Sequence, residues 1–206
     1  MSTKDKIKKA AIACFNHDGI SNVRLQHIAE AANMSVGNMT YHFRTKEDIV
    51  RGIWEELEQA QRILLTEFRV LPLFEDIERL LDSTFRLQNE YAFFYLDMLE
   101  IMRAYSEIQE LYRQHLTWQI QQMHLALEFN YARGAMIQPQ TEPAGFTAQL
   151  AAQFWSTTDT WKYRCTVQGL PAHDYRAFRA TIWNLFVPVL TEMGMLEYKQ
   201  TTALFA

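Results

Sequence analysis

The sequence predicts an all-α fold, and three observations support that prediction. Glycine and proline are scarce, with seven and five residues among 206, and residues 73–133 and 146–168 contain neither. Stretches of that length without helix breakers are typical of helices. Apolar residues recur at three- and four-residue spacing along much of the chain, which is the period of an amphipathic helix. With 49% hydrophobic and 13% aromatic residues, the chain can bury a large core in one or two domains.

About nine helices are expected, and they begin near residues 4, 24, 35, 46, 74, 91, 106, 144 and 172. The first follows the apolar stripe of Ile7, Ala11 and Phe15 and ends at Gly19. Thr45 and Asp48 form a capping-box pattern at the start of the fourth. The last expected helix covers roughly residues 172–196 and contains Pro188. Because proline lacks a backbone N–H, we expect a kink there.

Charge divides the chain into two parts. The whole chain has a formal net charge of −4, but residues 1–52 hold eight lysines and arginines against five acidic residues. A basic segment on an acidic body is typical of a protein that meets a polyanion with one end. Charge alone does not separate this interpretation from ordinary surface variation. We therefore divide the chain into a first domain, 1–52, and a second, 53–206. The motifs of the first domain are used to decide whether its positive charge serves to bind a polyanion.

Residues 24–43 carry the pattern of two short helices joined by a tight turn. The first places Leu25, Ile28 and Ala29 on its inner side, and Asn33 follows where the turn needs a left-handed backbone. Ser35 is placed to cap the second helix. That helix exposes Val36, Gly37, Asn38 and Thr40. A glycine in such a short helix favours a close approach of the backbone to another surface, such as the major groove of DNA.

Basic and hydrogen-bonding residues follow the second short helix. Tyr41 and His42 offer donors, Phe43 is expected to seal the core, and Lys46 lies in the first turn of the next helix. A helix N-terminus with a nearby ammonium favours an anion, so these residues are interpreted as a phosphate clamp. The plainer alternative is a helical hairpin with a solvated polar edge.

The segment Lys4–Leu57 resembles the DNA-binding domain of TetR-family transcriptional regulators. The matching residues are Ile28-Ala29, the run Asn33-Met34-Ser35-Val36-Gly37, Tyr41-His42-Phe43 and Lys46. The resemblance implies a three-helix helix-turn-helix domain followed by a helical domain for effector binding and dimerisation. It also implies that Gln26, Val36, Gly37 and Thr40 face base edges, and that Arg24, Asn38, Tyr41, His42 and Lys46 hold phosphates. Ser35 completes the set of ten expected DNA-binding residues. Arg24, Asn33 and Thr40 stand where the family often has Thr, Gly and Tyr.

The last expected helix is apolar on two sides, more than a single core requires. A second apolar side usually marks an interface, and pairing with a twofold mate would give a four-helix bundle, as the resemblance also implies. The expected dimer residues are Phe146, Leu150, Phe178, Ile182, Trp183, Phe186, Val189 and Leu190. The alternative is a helix buried at the centre of one subunit.

Residues 74–130 are rich in aromatic side chains and methionine, which can line an apolar pocket between helices. The candidate ligand-binding residues are Phe94, Met98, Met102, His115, Trp118, Gln119, Met123, Phe154 and Trp161. For any one of them a place in the ordinary core is the alternative. His115 in particular fits either a hydrogen-bonded core histidine or a ligand contact.

Motifs of enzymes and metal sites are missing from the sequence. It contains no Gly-rich phosphate loop, HExxH or GxSxG, and its two cysteines, Cys14 and Cys165, cannot form a zinc site alone. We therefore expect no catalytic residues, no cofactor and no metal. No apolar run is long enough to span a membrane, so a cytoplasmic location is expected.

The resemblance implies a sequence-specific repressor that acts as a homodimer on a near-palindromic double-stranded DNA operator. It also implies a response to a small apolar or amphipathic effector. Two alternatives come from other classes. The first is a helical ligand-binding or interaction module without DNA activity, and the second is an all-α enzyme with dispersed catalytic residues.

Overall fold

A computed structural model gives the architecture of residues 2–68, 72–137 and 145–204. That part of the chain contains helices and no strand, apart from an isolated antiparallel bridge between Met136 and Leu190. The all-α prediction is confirmed. In chain order the helices are α1 (Thr3–Asp18), α2 (Leu25–Ala31), α3 (Val36–His42), α4 (Lys46–Phe68), α5 (Phe74–Glu90), α6 (Ala92–Leu96), α7 (Met98–Ala104), α8 (Ser106–Ala132), α9 (Phe146–Asp159), α10 (Trp161–Gln168), α11 (Tyr175–Phe186) and α12 (Glu192–Leu204).

The described part therefore has twelve α-helices, against the nine or so expected. The excess arises because each of three expected helices is divided in two. The helix expected from residue 91 is α6 and α7, the one expected from 144 is α9 and α10, and the one expected from 172 is α11 and α12.

Pro188 ends a helix, so the expectation of a kinked but continuous helix needs correction. Residues Val187–Val189 form a single 3₁₀ turn, and Leu190 is extended, with φ −79° and ψ 140°. The chain that leaves the helix pairs with residues 135–137, since Ile137 N donates to Val189 O at 2.8 Å and Thr191 N donates to Ala135 O at 3.1 Å. Proline removes the helical bond, and these two backbone bonds stabilise the extended path that replaces it.

Two compact units make up the chain, and the first combines residues up to Ala60 with Leu87–Arg113. Its core joins α1, α2, α3 and the first half of α4 to the segment that begins at Tyr91. Phe15 contacts Phe93 with ring centroids 5.0 Å apart, and Trp54 stacks on Phe94 at 5.1 Å. The functional division at residue 52 stays a prediction.

The second unit combines Gln61–Arg86 with Gln114–Ala206. Its core contains α9 and α11 with parts of α5 and α8. Glu78 is fully buried and accepts hydrogen bonds from Arg179 and Trp183, both at 2.7 Å. Gly194 lies so close to the backbone that a Cβ on it would be 1.9 Å from the carbonyl oxygen of Ala135.

The expected dimer residues belong to this second core, so their assignment needs correction. Six are buried within the subunit, and the remaining two are half-buried against the same core; they are Leu150, Phe178, Ile182, Trp183, Phe186 and Val189, then Phe146 and Leu190. The reason is the break at Pro188. It lets α12 place Tyr198 4.8 Å from Trp183, on the side that one continuous helix would have left open.

Candidate nucleic-acid interface

The turn between α2 and α3 has the left-handed residue that the sequence predicts. Asn33 has φ 50°, the only positive value outside glycine in the described residues. Met34 N donates to Ala29 O at 3.0 Å and closes the turn. Ser35 then caps α3, because its hydroxyl accepts from Asn38 N at 3.2 Å. These local bonds fix where α3 begins.

Helix α3 buries a single side chain, that of Met39, and presents the rest of its surface outward. Tyr41 is 84% exposed and Val36 is 38% exposed. A Cβ added to Gly37 would meet no atom within 4 Å, so nothing inside the subunit requires glycine there. The helix is held by one core anchor and offers a polar outer face.

Lys46 is engaged with the protein itself. Its Nζ donates to Ile20 O at 2.8 Å and to Val23 O at 3.2 Å. Both carbonyls belong to the loop between α1 and α2. The ammonium therefore holds the loop that leads into α2, and one of its three N–H donors remains.

The N-terminus of α4 is capped by its own side chains. Thr45 N donates to Asp48 Oδ2 at 2.9 Å, and Asp48 N donates to Thr45 Oγ1 at 3.1 Å, which is the capping box that the sequence predicts. Burial would raise the pKa of Asp48, but the bonds from Thr45 and the charge of Arg51 outweigh it and hold that pKa below its usual range. The carboxylate of Asp48 therefore already balances the positive end of the α4 dipole. The place that the sequence predicts for a phosphate at this helix N-terminus is taken by Asp48.

A surface cleft of 320 Å³ lies beside the end of α3. Tyr41, His42 and Arg44 line it together with Lys4. Arg51 also lines it but forms an ion pair with Glu107 at 3.1 Å. Lys4 and Arg44 were not among the DNA contacts predicted from the sequence. Arg44 could have been found, because it is a basic residue two positions after His42, whereas Lys4 is distant in sequence.

Arg24 and Gln26 lie at the start of α2 and are exposed. The backbone N–H of Arg24 donates to His27 Nδ1 at 3.3 Å, which leaves the guanidinium outside the cap. Nine of the ten predicted DNA contacts thus lie on α2, α3 and the residues beside them, and the tenth, Lys46, begins α4. Within the described ranges, the outer residues Val36, Gly37, Asn38 and Tyr41 of α3 are exposed.

Two side chains that the sequence did not single out hold the end of α1. The Asn16 amide donates to Glu90 O at 2.8 Å and accepts from Phe93 N at 2.9 Å. Asp97 Oδ2 accepts from Ile20 N at 2.8 Å. These bonds attach α1 and its following loop to α6 and the residues around it. Their partners are distant in sequence, so no local pattern could have identified them.

The candidate ligand residues are divided between the two units, which corrects their grouping. Phe94 and Met102 are buried in the first unit's core, and Met98 packs against it. Met123, Phe154 and Trp161 are buried in the second unit's core. Apolar spacing predicts that these side chains are buried, but it does not say in which core.

His115, Trp118 and Gln119 come together on α8 in the second unit, where they form a polar and aromatic cluster. His115 Nε2 lies 2.7 Å from Gln61 Oε1, and the rings of His115 and Trp118 are 5.6 Å apart. Burial, and then the charge of Arg62, lower the pKa of His115 to about 4. The imidazole is therefore neutral at pH 7. Gln61 and Arg62 were missed by the sequence analysis.

Within the described ranges, no three His, Cys, Asp or Glu side chains are grouped so that they could hold a metal ion. Among residues 2–68, 72–137 and 145–204, no helix has the length and apolarity that crossing a membrane requires.

Two family models match the sequence. The model described as "Bacterial regulatory proteins, tetR family" matches residues 7–53, which contain α2 and α3. The model described as "Bacterial transcriptional repressor", of the TetR type, matches residues 41–198, more than half of the chain.

Individual proteins agree with these models. A probable HTH-type transcriptional regulator of Bacillus subtilis, YttP, is 34% identical over 60 residues, which are 29% of this chain and 29% of that protein. A TetR-family regulator from Marinobacter aquaeolei has the same fold, with a TM-score of 0.86 and 24% identity over 98% of both chains. A regulator from Saccharomonospora viridis, crystallised with choline, has a TM-score of 0.69 and 16% identity over 88% of this chain and 93% of its own.

The matches cover both the helix-turn-helix segment and the helices that follow it, and members of this family are transcription factors rather than enzymes. The chain belongs to the TetR family of DNA-binding bacterial transcriptional repressors.

Proposed function

We propose that this regulator is a homodimeric, ligand-responsive repressor that places α3 of each subunit in the major groove of a near-palindromic operator. The observation that carries the proposal is the exposure of α3, which keeps one buried anchor, Met39, and leaves its other side chains to solvent or half-exposed. In a helix-turn-helix, the second helix reads bases in this way while neighbouring residues hold the backbone.

Residue roles follow from position. We assign base contacts to the exposed surface of α3 and the start of α2, namely Gln26, Val36, Gly37 and Thr40. Phosphate contacts go to the rim, namely Arg24, Asn38, Tyr41 and His42, with Ser35 as the cap. Lys46 receives a positioning role instead of the expected phosphate contact, because two loop carbonyls accept its hydrogen bonds.

The DNA-binding proposal is tested by selecting bound sequences from a random duplex pool with the full-length protein. Enrichment of a near-palindrome supports it. The variant Thr40→Glu should lose the enriched sequence, because it puts a carboxylate where α3 faces phosphates and bases. Thr66→Glu is a matched control, since Thr66 on α4 is exposed and bonds its own helix in the way Thr40 does. Failure of the wild type to select any duplex would favour the module without DNA activity.

The dimer surface that we propose is the outer face of α9 and α11. Phe154 and Phe186 join these two helices on the inner side, with ring centroids 5.8 Å apart. The exposed or half-exposed outer positions are small or neutral; they are Ala148, Gln149, Ala152, Gln153 and Ser156, then Ala177, Ala180, Thr181 and Asn184. Arg179, the charged residue between Ala177 and Asn184, is bonded to Glu78. Apart from Arg176 near the start of α11 and Asp159 at the end of α9, these faces carry no further charge, which suits a four-helix bundle with its twofold mate.

Light scattering of the protein in solution tests this surface. Ala180→Arg should convert a dimer to a monomer, because the two copies of α11, each carrying a new guanidinium, cannot pack closely at a twofold axis. Ala203→Arg, at an exposed position of α12, is the control and should remain dimeric. An unchanged mass for Ala180→Arg would place the interface elsewhere.

The effector would bind in the second unit, where an apolar core contains the polar cluster on α8. Choline in the Saccharomonospora neighbour supports a small-molecule role for this kind of helical domain. A ligand that binds one arrangement of the dimer more tightly shifts the population away from the DNA-binding one. Since its target is DNA, we expect the protein to act in the cytoplasm.

A further inference from the structure

Helix α8 carries a buried polar stripe in the second unit. His115, Gln119 and Gln122 follow one another at i, i+4 and i+7 and so share one face of the helix. They are 1%, 2% and 5% exposed. In the described residues, Gln119 Nε2 and Gln122 Oε1 have no hydrogen-bond partner. The stripe thus holds one buried donor and one buried acceptor, adjacent on the helix, that the protein does not satisfy.

Such groups are rare because each unsatisfied polar atom opposes folding. A ligand that binds the folded protein and hydrogen bonds to both atoms would remove this cost. A donor next to an acceptor is complementary to a group that offers an acceptor next to a donor. Carboxamides and lactams have that arrangement in their C=O and N–H.

The surroundings of the stripe are aromatic. Trp118 lies beside His115, and the Arg62 guanidinium is 4.5 Å from the Trp118 ring centroid. From α9, Trp155 Nε1 donates to the backbone carbonyl of Gln119 at 2.9 Å. Two indole rings thus lie near Gln119, one next to it in the sequence and one bonded to its backbone, and such apolar surface suits a ligand with a flat apolar body.

We propose that Gln119 and Gln122 form the recognition point of an effector site for a neutral, apolar molecule with an amide-type edge. This assignment rests on the proposed response of the regulator to a ligand and names the chemistry of that ligand. The neutral state of His115 at pH 7 leaves the stripe itself without charge. The competing ligand chemistry is a carboxylate, because the second unit also buries a lysine, Lys162 of α10.

The first test needs no ligand and uses thermal unfolding of the full-length protein. Gln119→Leu and Gln122→Leu should each raise Tm by about 2–4 °C, because leucine fills the space without an unsatisfied polar group. The matched control is Gln61→Leu, which should lower Tm because Gln61 is hydrogen bonded to His115. A lower Tm for both stripe variants would show that water or the protein satisfies these amides, and it would overturn the site.

The second test uses three probes of one shape, naphthalene-2-carboxamide, naphthalene-2-carboxylic acid and 2-methylnaphthalene. At millimolar concentration the carboxamide should raise the Tm of the wild type by about 2 °C or more. The shift should be lost in Gln119→Leu/Gln122→Leu and kept in Gln121→Leu, an exposed control on α8 itself. No shift with the carboxamide, or a larger shift with the acid, overturns the amide assignment.

Duplex binding by the same preparations separates this inference from the proposed function. Stripe variants that bind DNA as the wild type does but ignore the carboxamide support the ligand site. A wild type that binds the carboxamide and selects no duplex supports the site and refutes the regulator proposal. DNA binding without a carboxamide shift refutes the site alone.

Discussion

Replacing Lys46 by methionine separates two roles for one ammonium group. Methionine keeps most of the aliphatic stem and removes the two bonds to Ile20 O and Val23 O, at 2.8 and 3.2 Å. A hydrogen bond to a charged group contributes about 1.5–3 kcal/mol to stability. The second bond here is long and both are only partly buried, so we expect a total loss of about 2 kcal/mol in the free energy of unfolding.

The contrasting variant is Arg44→Met, because Arg44 is exposed and lines the cleft beside α3. Its removal should leave stability within about 0.5 kcal/mol of the wild type. It should also make the negative slope of log affinity against log salt concentration shallower by about 0.9, the value for one lost phosphate contact. Lys46→Met should weaken DNA binding at every salt concentration and leave that slope unchanged, since it disorders the loop before α2 without removing a phosphate contact.

Urea unfolding at fixed protein concentration gives the stabilities, and fluorescence anisotropy with a labelled duplex at several salt concentrations gives the slopes. Wild-type stability in Lys46→Met, together with a reduced salt slope, would refute the positioning role. The ammonium would then belong to the phosphate clamp that the sequence suggests.

Three further predictions concern stability. Asn33→Ala should cost about 1 kcal/mol because its φ is 50°, whereas Asn33→Gly should be neutral; equal effects in urea unfolding would contradict this. Asn16→Ala should lose about 1–2 kcal/mol by removing the bonds to Glu90 and Phe93, and a change below the error of chemical denaturation would show that water replaces them. Burial and Arg62 lower the pKa of His115 from 6.5 to about 4, so the unfolded chain binds more protons between these values. Stability present above pH 6.5 should fall by up to about 3 kcal/mol towards pH 4, and His115→Gln should flatten that pH profile.

Local features of the fold could be predicted because their partners are neighbours in sequence. The left-handed Asn33, the Ser35 cap and the Thr45–Asp48 capping box each involve residues no more than three positions apart. Their physics is complete within a short segment. The residues that identify the family lie in the same short segment, so the family could also be predicted from the sequence.

Partners that are far apart in sequence could not be predicted. Lys46 lies in a first helical turn, which favours an anion, yet its partners are carbonyls 23 and 26 residues away. No side chain marks a carbonyl that needs a donor.

The same limit explains the apolar residues. Periodicity shows that Phe94 and Phe178 face inward, but the two lie in different cores. The break at Pro188 determines which side of α11 has no packing partner within the subunit. Only a three-dimensional path reveals that α12 covers one side of it.

Two glycines with opposite surroundings should diverge in any large mutational survey. At position 37 the added methyl of alanine meets open space, so it would make the isolated helix firmer by about 1 kcal/mol while holding the backbone away from a duplex. At position 194 the same methyl would strike a carbonyl oxygen and lower the yield of folded protein. Repression scored in parallel with abundance should therefore separate the two positions: at position 194 both scores fall, whereas at position 37 repression falls while abundance holds or rises, and an abundance score alone would miss the second loss.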